Sequence, residues 1–525
     1  MFTLTTILRN RKSNNKSTFV AFIDLEKAFD CVDRTLLLYR LLLYNIDGKV
    51  YKIIKRMYTA TTSCVKLNNM FTDWFDVSSG VRQGDNLSPT LFGLFVNSLA
   101  IHINNLNKGV KVGNNKVIIL LYADDMVLLA QHESDLQCML NAMYEWAMEW
   151  RLKVNVNKSK IVQFRPKRKQ VTEYIFHYAG NMIERVSSYK FLGVYLDEHL
   201  DFGKCSDILA ESASRALGGI ISKFKTLKDC GYKTYTKLFE TGVLPILNYG
   251  AEVWGYGKHP KCDNILNRAM RYFLGVHKYA PTAAVQGDMG WISLKYRRYV
   301  AMLKFWNRLV HMDNTRLTKQ VFLWCYDNPV NNWCDEIRKI AETFHVEHTY
   351  ATKGIFKIDD IIQKCSELML TEWRHQILTK PKLRTYNKFK TEFVVEPYIT
   401  RNVPKYSRSL YAQFRSGILP LHIETGRYAN IRDPHTGKHR KMSPNERLCN
   451  ICKFDHVEDE KHFILICNKY EEERNTLFQH CSQSNDNFCN LTEDEKFTYI
   501  IKNEWRAALN YITDAWMKRK ECLYV

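Results

Sequence analysis

The 525-residue chain is 46% hydrophobic and 25% charged, a balance that excludes wholesale disorder and, at about 150 residues per domain, allows three or four cores. Its formal net charge of +21 raises the weight of a polyanionic partner, with nucleic acid ahead of a membrane surface. Fifteen scattered cysteines lack the density of a secreted disulfide framework, no run of about eighteen apolar residues reads as a membrane span, and MFTLTTILRNRKSNNKST is too briefly apolar for a signal peptide, so an intracellular protein with reduced thiols is expected.

FVAFIDL, residues 19–25, reads as a buried strand with Asp24 near its carboxyl end. Asp33 is a fitting N-cap for a helix over 34–43. In SSGVRQGDNLSPTLFGLFVNSLAIHI, residues 78–103, Gly80 and Gly84 permit close backbone approach, and Arg82 and Gln83 stand between them. Ser88 is expected to cap the following helix with Pro89 at its first position, and Leu91, Phe92, Leu94, Phe95 and Leu99 to bury its face.

VIILLYADDMVLLA, residues 117–130, places two apolar runs around a polar tip, Ala123-Asp124-Asp125-Met126, the pattern of a hairpin. Like charges about 4 Å apart near a protein surface repel by roughly 4 kcal/mol. A hard divalent cation such as Mg²⁺, which selects oxygen ligands, turns that repulsion into binding; a solvated turn is the alternative. If the 19–25 strand lies beside the hairpin, Asp24 and Asp124 can share two metal ions, the arrangement that serves phosphoryl displacement.

A helix over 134–152 carries Leu136, Met139, Leu140, Met143, Trp146 and Trp150 at core spacing. NVNKSK (155–160), a strand over 161–164, a basic loop over 165–169 and a strand pair ending in YKFLGV (189–194) follow. Residues 205–300 read as helical, clearest at 210–224 and 235–244, with Pro245 ending or kinking the second helix; Arg215, Lys223, Lys225 and Lys228 are candidate phosphate contacts. The pattern stays helical over 290–420, with TKGIFK as a loop. Cys449 and Cys452, with His462 ten residues on and Cys467 five beyond, have the spacing of a Cys₃His zinc site; buried free thiols are the alternative.

Five stretches, in order, resemble the reverse transcriptases of non-LTR (LINE-type) retrotransposons: AFIDLEKAFDCVDR, GVRQGDNLSP, YADD, NVNKSK and YKFLGVYL. The resemblance covers about 18–200, and LPILNYGAEVWG resembles the family's thumb. It implies an α+β fold, with a palm and remnant fingers over 1–203, a helical thumb over 204–300, a helical connector over 301–425, a Cys/His zinc module over 426–475 and a helical tail over 476–525. It implies that Asp24 and Asp124 ligate two Mg²⁺ ions with Asp125 in support, and that Lys158 protonates the pyrophosphate leaving group. Phe29 would exclude a ribose 2′-hydroxyl, while Arg82, Gln83 and Gly84 would meet the incoming deoxynucleoside triphosphate and template. Phe191, Leu192 and Gly193 would hold the primer end. Zn²⁺ would sit on Cys449, Cys452, His462 and Cys467, with His456 as a substitute for His462. RNA template and DNA primer or target are the implied partners, without a membrane, in a nuclear or cytoplasmic ribonucleoprotein. The family also carries fingers and an endonuclease upstream, so the sequence reads as the carboxyl-terminal part of a retrotransposon reading frame with reduced or no activity by itself. The alternative is a decayed or domesticated nucleic-acid-binding protein.

Overall fold

The computed structural model describes residues 1–227, 229–432, 438–452 and 455–524. The chain divides into two compact units, one of Met1–Cys205, Gly250–Trp254 and Met302–Phe356, the other of Ser206–Tyr249, Gly255–Ala301 and Lys357–Val525. These boundaries differ from a sequential palm, thumb and connector, because residues 302–356 fold with the amino-terminal segment.

The first unit is built on a four-stranded antiparallel sheet. Its strands are β1 (Thr18–Ile23), β2 (Ile119–Tyr122), β3 (Asp125–Ala130) and β4 (Lys160–Phe164), in the order β4-β1-β3-β2. β1 is therefore central and buried throughout, which is why its sequence is continuously apolar. Successive side chains alternate between faces. Phe19, Ala21 and Ile23 join the core formed with helices over Ser88–Asn104 and Glu133–Glu149. Phe22 points the other way, stacking on Tyr189 at 4.5 Å and meeting Phe191 at 5.4 Å. Those two rings belong to a hairpin of β5 (Ser188–Phe191) and β6 (Val194–Asp197). Asp24 follows Phe22 by two residues and so shares its face.

The 34–43 helix forms as read, with Asp33 Oδ1 accepting from the backbone N–H of Thr35 and Leu36. Ser88 is not a cap. It lies inside its helix, buried, with its hydroxyl 3.3 Å from that of Tyr58, while Asp85 accepts from the Leu87 N–H just outside. The stripe of the 133–149 helix is core, as its spacing requires.

Ahead of β1 the chain forms a helix that its sequence pattern does not announce, α1 (Phe2–Ser13), whose residues Phe2 to Leu8 are all buried. Its partner is a helix over Leu317–Asp327, and Phe2 meets Phe305 and Trp333 edge-on at 5.4 and 5.0 Å. Those contacts hold residues 302–356 in this unit.

The second unit is largely helical. One helix spans Phe202–Thr226; the next runs Tyr232–Gly242, and Pro245 lies in the first turn of a short Leu244–Leu247 helix that follows it. At its centre the buried Arg415 donates to both Asp288 oxygens at 3.0 Å, and the hydroxyls of Tyr386 and Tyr398 donate to the same carboxylate. That pairing holds the Asp288 carboxyl below its ordinary value against the opposing effect of burial. Helices over Glu471–Ser484, Glu493–Lys502 and Trp505–Tyr524 form the tail. Among the described residues no helix is long and apolar enough to cross a membrane.

Candidate active site and metal centre

The pairing register brings the acidic residues together. Ile23 pairs with Met126 and Tyr122 with Asp125, so Asp24 follows β1 directly opposite the start of β3. The turn is tighter than the four-residue tip expected. Only Ala123 and Asp124 lie in it, Ala123 at φ 52°, and Asp125 already belongs to the strand. Asp124 is exposed, whereas Asp24 and Asp125 are half-buried. Burial raises the Asp125 carboxyl above the ordinary carboxylate value, and the charges of Asp124 and Asp24 raise it further. Three carboxylates gathered at one strand end form a hard-oxygen site suited to a divalent cation.

The 155–160 loop is stitched to the same strand end. The Asp24 N–H donates to Ser159 Oγ (3.1 Å), the Asn155 N–H to the Asp24 carbonyl (2.8 Å), and the Lys158 N–H to Asn155 Oδ1 (3.2 Å). This turn carries Lys158 Nζ to 3.9 Å from Asp24 Oδ2, with the lysine side chain largely exposed. An exposed pair at that distance contributes little to stability, on the order of 0–1 kcal/mol.

The loop around Arg82 is anchored to the segment after Asp24. The Gly80 and Val81 N–H groups donate to the carbonyls of Val32 and Phe29 at 2.8 Å. Gly80 has φ +81°, and a Cβ there would meet the Asp30 carbonyl oxygen at 2.7 Å, so glycine is required. Gln83 donates to Asp30 Oδ1 at 3.0 Å, Arg82 to the Met57 carbonyl at 2.8 Å, and Gly84, at φ +88°, has open space beside it. Phe29 is half-buried and stacks on Phe92 at 4.7 Å. In the β5–β6 hairpin, Leu192 (φ 47°) and Gly193 (φ 79°) make the two-residue turn, while Phe191 is buried on Phe22. Phe191 thus supports the hairpin from below and is not on its surface.

Three residues near this site were missed in the sequence. Tyr189 stands half-buried over Phe22, where burial and then the charges of Asp24 and Asp125 raise its phenol. Its spacing of two from Phe191, on the same strand face, was the available signal. Arg34 ties the loop down by donating to the carbonyls of Val77 and Gly80, and Asp30 receives Gln83. No local pattern distinguishes either of these from a surface charge. The basic loop also differs from expectation, since Arg165 is buried and paired with Glu198 at 3.0 Å. Of the helical candidates, Arg215 is exposed and donates to Ser212 Oγ, Lys223 and Lys225 are exposed near the helix end, and Lys228 lies outside the described residues.

In the second unit, the ligand atoms of Cys449, Cys452, His462 and Cys467 all lie within 4.8 Å of one another. Bonds of about 2.3 Å to sulfur and 2.0 Å to nitrogen put tetrahedral ligand atoms roughly 3.5–3.8 Å apart. Cys452 Sγ and His462 Nε2 are 3.4 Å apart. His456, exposed, contributes its carbonyl to the Cys449 N–H and is not in the cluster. The Cys449 thiol is pushed up to about 12, first by its hydrogen bond with Cys467 and then by burial, while Cys467 is lowered by the same bond. Such packed thiols are the donor set of a soft-ligand cation. The cluster is held by a buried ion pair between Glu458 and Arg519 and by Arg474, which donates to the carbonyls of Ile464 and Cys467.

Residues 2–196 match the family model described as "Reverse transcriptase (RNA-dependent DNA polymerase)". This part of the chain is a reverse-transcriptase domain. Among the relatives it matches are proteins of mobile elements, several of them named RNA-directed DNA polymerases. The RNA-directed DNA polymerase from mobile element jockey of Drosophila melanogaster is 26% identical over 289 residues, covering 53% of this chain and 30% of that protein. The Pol polyprotein from type-2 retrotransposable element R2DM of the same species is 25% identical over 326 residues, covering 60% and 30%. The probable RNA-directed DNA polymerase from its transposon BS is 25% identical over 284 residues, covering 51% and 30%. The matched stretch thus spans about 30% of the length of these relatives.

Proposed function

We propose that the chain is the polymerase part of a non-LTR retrotransposon protein, an RNA-directed DNA polymerase that adds deoxynucleotides to a primer 3′-hydroxyl on an RNA template. The observation that carries this reading is the convergence of Asp24, Asp124 and Asp125 at one end of the sheet, beside Lys158, within a reverse-transcriptase domain. In the family's terms the first unit's sheet is the palm, and the helices after residue 205 supply a thumb.

Two Mg²⁺ ions, held by Asp24 and Asp124 with Asp125 in support, would supply charge stabilisation for the attacking and leaving oxygens. The chain's own groups position everything around them. Phe29, braced by Phe92, would clash with a ribose 2′-hydroxyl and so favour deoxynucleotides. Arg82, Gln83 and Gly84 offer a cation, an amide and free space to a nucleotide and its template base. Lys158 Nζ holds a proton that a pyrophosphate leaving group needs, on a loop fixed to the strand bearing Asp24. Leu192 and Gly193, raised on the buried Phe191, meet the primer end. Zn²⁺ on Cys449, Cys452, His462 and Cys467 would fix the fold of the second unit's Cys/His module, next to which RNA or DNA binds. The setting is a nuclear or cytoplasmic ribonucleoprotein.

The test is extension of an oligo(dT) primer on poly(rA) with Mg²⁺. The wild-type chain extends it, and Asp124→Asn abolishes extension while leaving template–primer binding intact. Undiminished extension by that variant overturns the assignment, and binding without extension by the wild type turns the reading to a nucleic-acid binder.

A further inference from the structure

A second candidate ligand site lies at the opposite end of the sheet from the carboxylates. It is a cleft of about 370 Å³ in the first unit, lined among others by Asn14, Lys16, Lys111, Gly113, Gln131 and Trp324, and no carboxylate lines it. Its floor is Arg11. That side chain is only 8% exposed, and it donates to Thr18 Oγ1 (2.7 Å), Gln131 Oε1 (2.8 Å) and the Ser17 carbonyl (2.6 Å). All three partners are neutral. No carboxylate pairs with Arg11 among the described residues, and burial alone lowers its proton affinity. A buried guanidinium without a counter-charge is costly unless an anion completes it.

The surroundings repeat this one-sided charge. Lys111 pairs with Lys116 across the Val110–Val112 and Asn115–Val117 ladder; Lys116 Nζ donates to the Asn107 carbonyl at 2.7 Å, and Lys111 lines the cleft. Lys16 and Lys111 are both exposed at the cleft. The half-buried indole of Trp324 also lines it, with Gly113 beside the ring. The hairpin is locked to the tryptophan's helix by Asn115, which donates to Gln320 Oε1 at 3.1 Å. Cations spaced along a groove with an aromatic ring between them are how single strands are held, phosphates on the lysines and a base on the ring.

We infer that this cleft binds a phosphodiester single strand, at a site separate from the catalytic end. Arg11 fixes Thr18, the first residue of β1, and Asp24 follows the last, so at about 3.3 Å per residue the two sites lie roughly 20 Å apart. The inference does not depend on polymerase activity, and its test reads binding alone.

The experiment uses the full chain and 12-nucleotide RNA and DNA strands of one sequence, each carrying a photoreactive thio-base. Cross-links to 9–16, 110–117 or 320–328 are expected, and the better cross-linking arm shows which strand occupies the cleft. By fluorescence anisotropy, the exposed double variant Lys16→Glu/Lys111→Glu binds on the order of tenfold more weakly at 0.1 M salt. Its slope of log K against log salt falls by about 1.4, the value for two lost single-strand phosphate contacts. Lys16→Arg/Lys111→Arg restores both. Asp124→Asn leaves both unchanged, which separates this site from the catalytic one. Cross-links confined to other segments, a glutamate variant within twofold of wild type, or equal competition by blunt duplex would overturn the inference.

Discussion

Removing the Asp124 charge is expected to stabilise the metal-free protein and destabilise the metal-loaded one relative to wild type. The Asp125 carboxyl is raised by burial, then by Asp124, then by Asp24. A carboxyl whose folded value lies above its unfolded value favours the fold fully below the ordinary aspartate range, about 3.9, and that contribution is lost as pH rises through the folded value. At neutral pH the metal-free sheet end therefore carries a residual repulsion. Asp124 is exposed and Asp125 only half-buried, so solvent screening leaves about 0.5 kcal/mol of it for Asp124→Asn to relieve. In a unit of this size that is a rise of about 1–2 °C in Tm. With Mg²⁺ at ten times its Kd the wild type gains about 1.4 kcal/mol by mass action, which the variant, missing a ligand, largely forgoes. Calorimetric melting at pH 7.5, in EDTA and in Mg²⁺, should show the order of the two proteins reverse. As the pH falls and Asp125 takes up its proton, the EDTA difference should shrink. A variant that melts below wild type in EDTA, or an equal Mg²⁺ gain in both, would refute the account and leave a solvated turn.

Arg519→Ala leaves Glu458 buried without its partner and should cost about 3–5 kcal/mol in the second unit, read as a lower denaturation midpoint by a probe in the tail helices. Cys452→Ser should lower bound zinc from one ion per chain to none by metal analysis and make the 438–470 region sensitive to protease; zinc retained at full occupancy would reassign the ligand set. Phe29→Val should raise ribonucleotide incorporation relative to deoxynucleotide in an extension assay by roughly 10- to 100-fold, for a change of about 1–3 kcal/mol in discrimination. It should also cost about 1 kcal/mol of stability through the lost stack on Phe92. Phe191→Ala should destabilise the first unit by about 3–5 kcal/mol, whereas Leu192→Ala should leave its midpoint within about 1 kcal/mol and weaken primer binding.

The carboxylate end of the sheet was legible because each of its parts follows from a local rule. β1 and β3 are continuous apolar runs because both are interior strands, and Asp24 and Asp125 stand where those runs stop. Asp33 satisfies two orphan amides within three residues of itself. The Cys/His spacing is likewise read along one short stretch, and its four ligands do converge. Ser-Pro is a strong helix-start signal, yet Ser88 lies inside its helix. The turn through Asp85 begins the helix one residue earlier, and the hydroxyl was needed beside Tyr58 instead.

What escaped the sequence is whatever a distant partner decides. Phe2 to Leu8 show no polar face, since the threonines at 3, 5 and 6 are buried beside the apolar residues, so helical periodicity had nothing to report. The stretch is explained only by a helix over three hundred positions later and by Phe305 and Trp333. The same dependence moved residues 302–356 out of a sequential connector and into the first unit. It also makes the Arg11 cleft visible only in three dimensions, because Lys16, Lys111 and Trp324 come from three segments that no spacing rule connects. A net charge of +21 distributed along the chain favours a polyanionic partner without saying where it would sit. A buried arginine without a carboxylate is a stronger statement, because its desolvation must be offset at that one place.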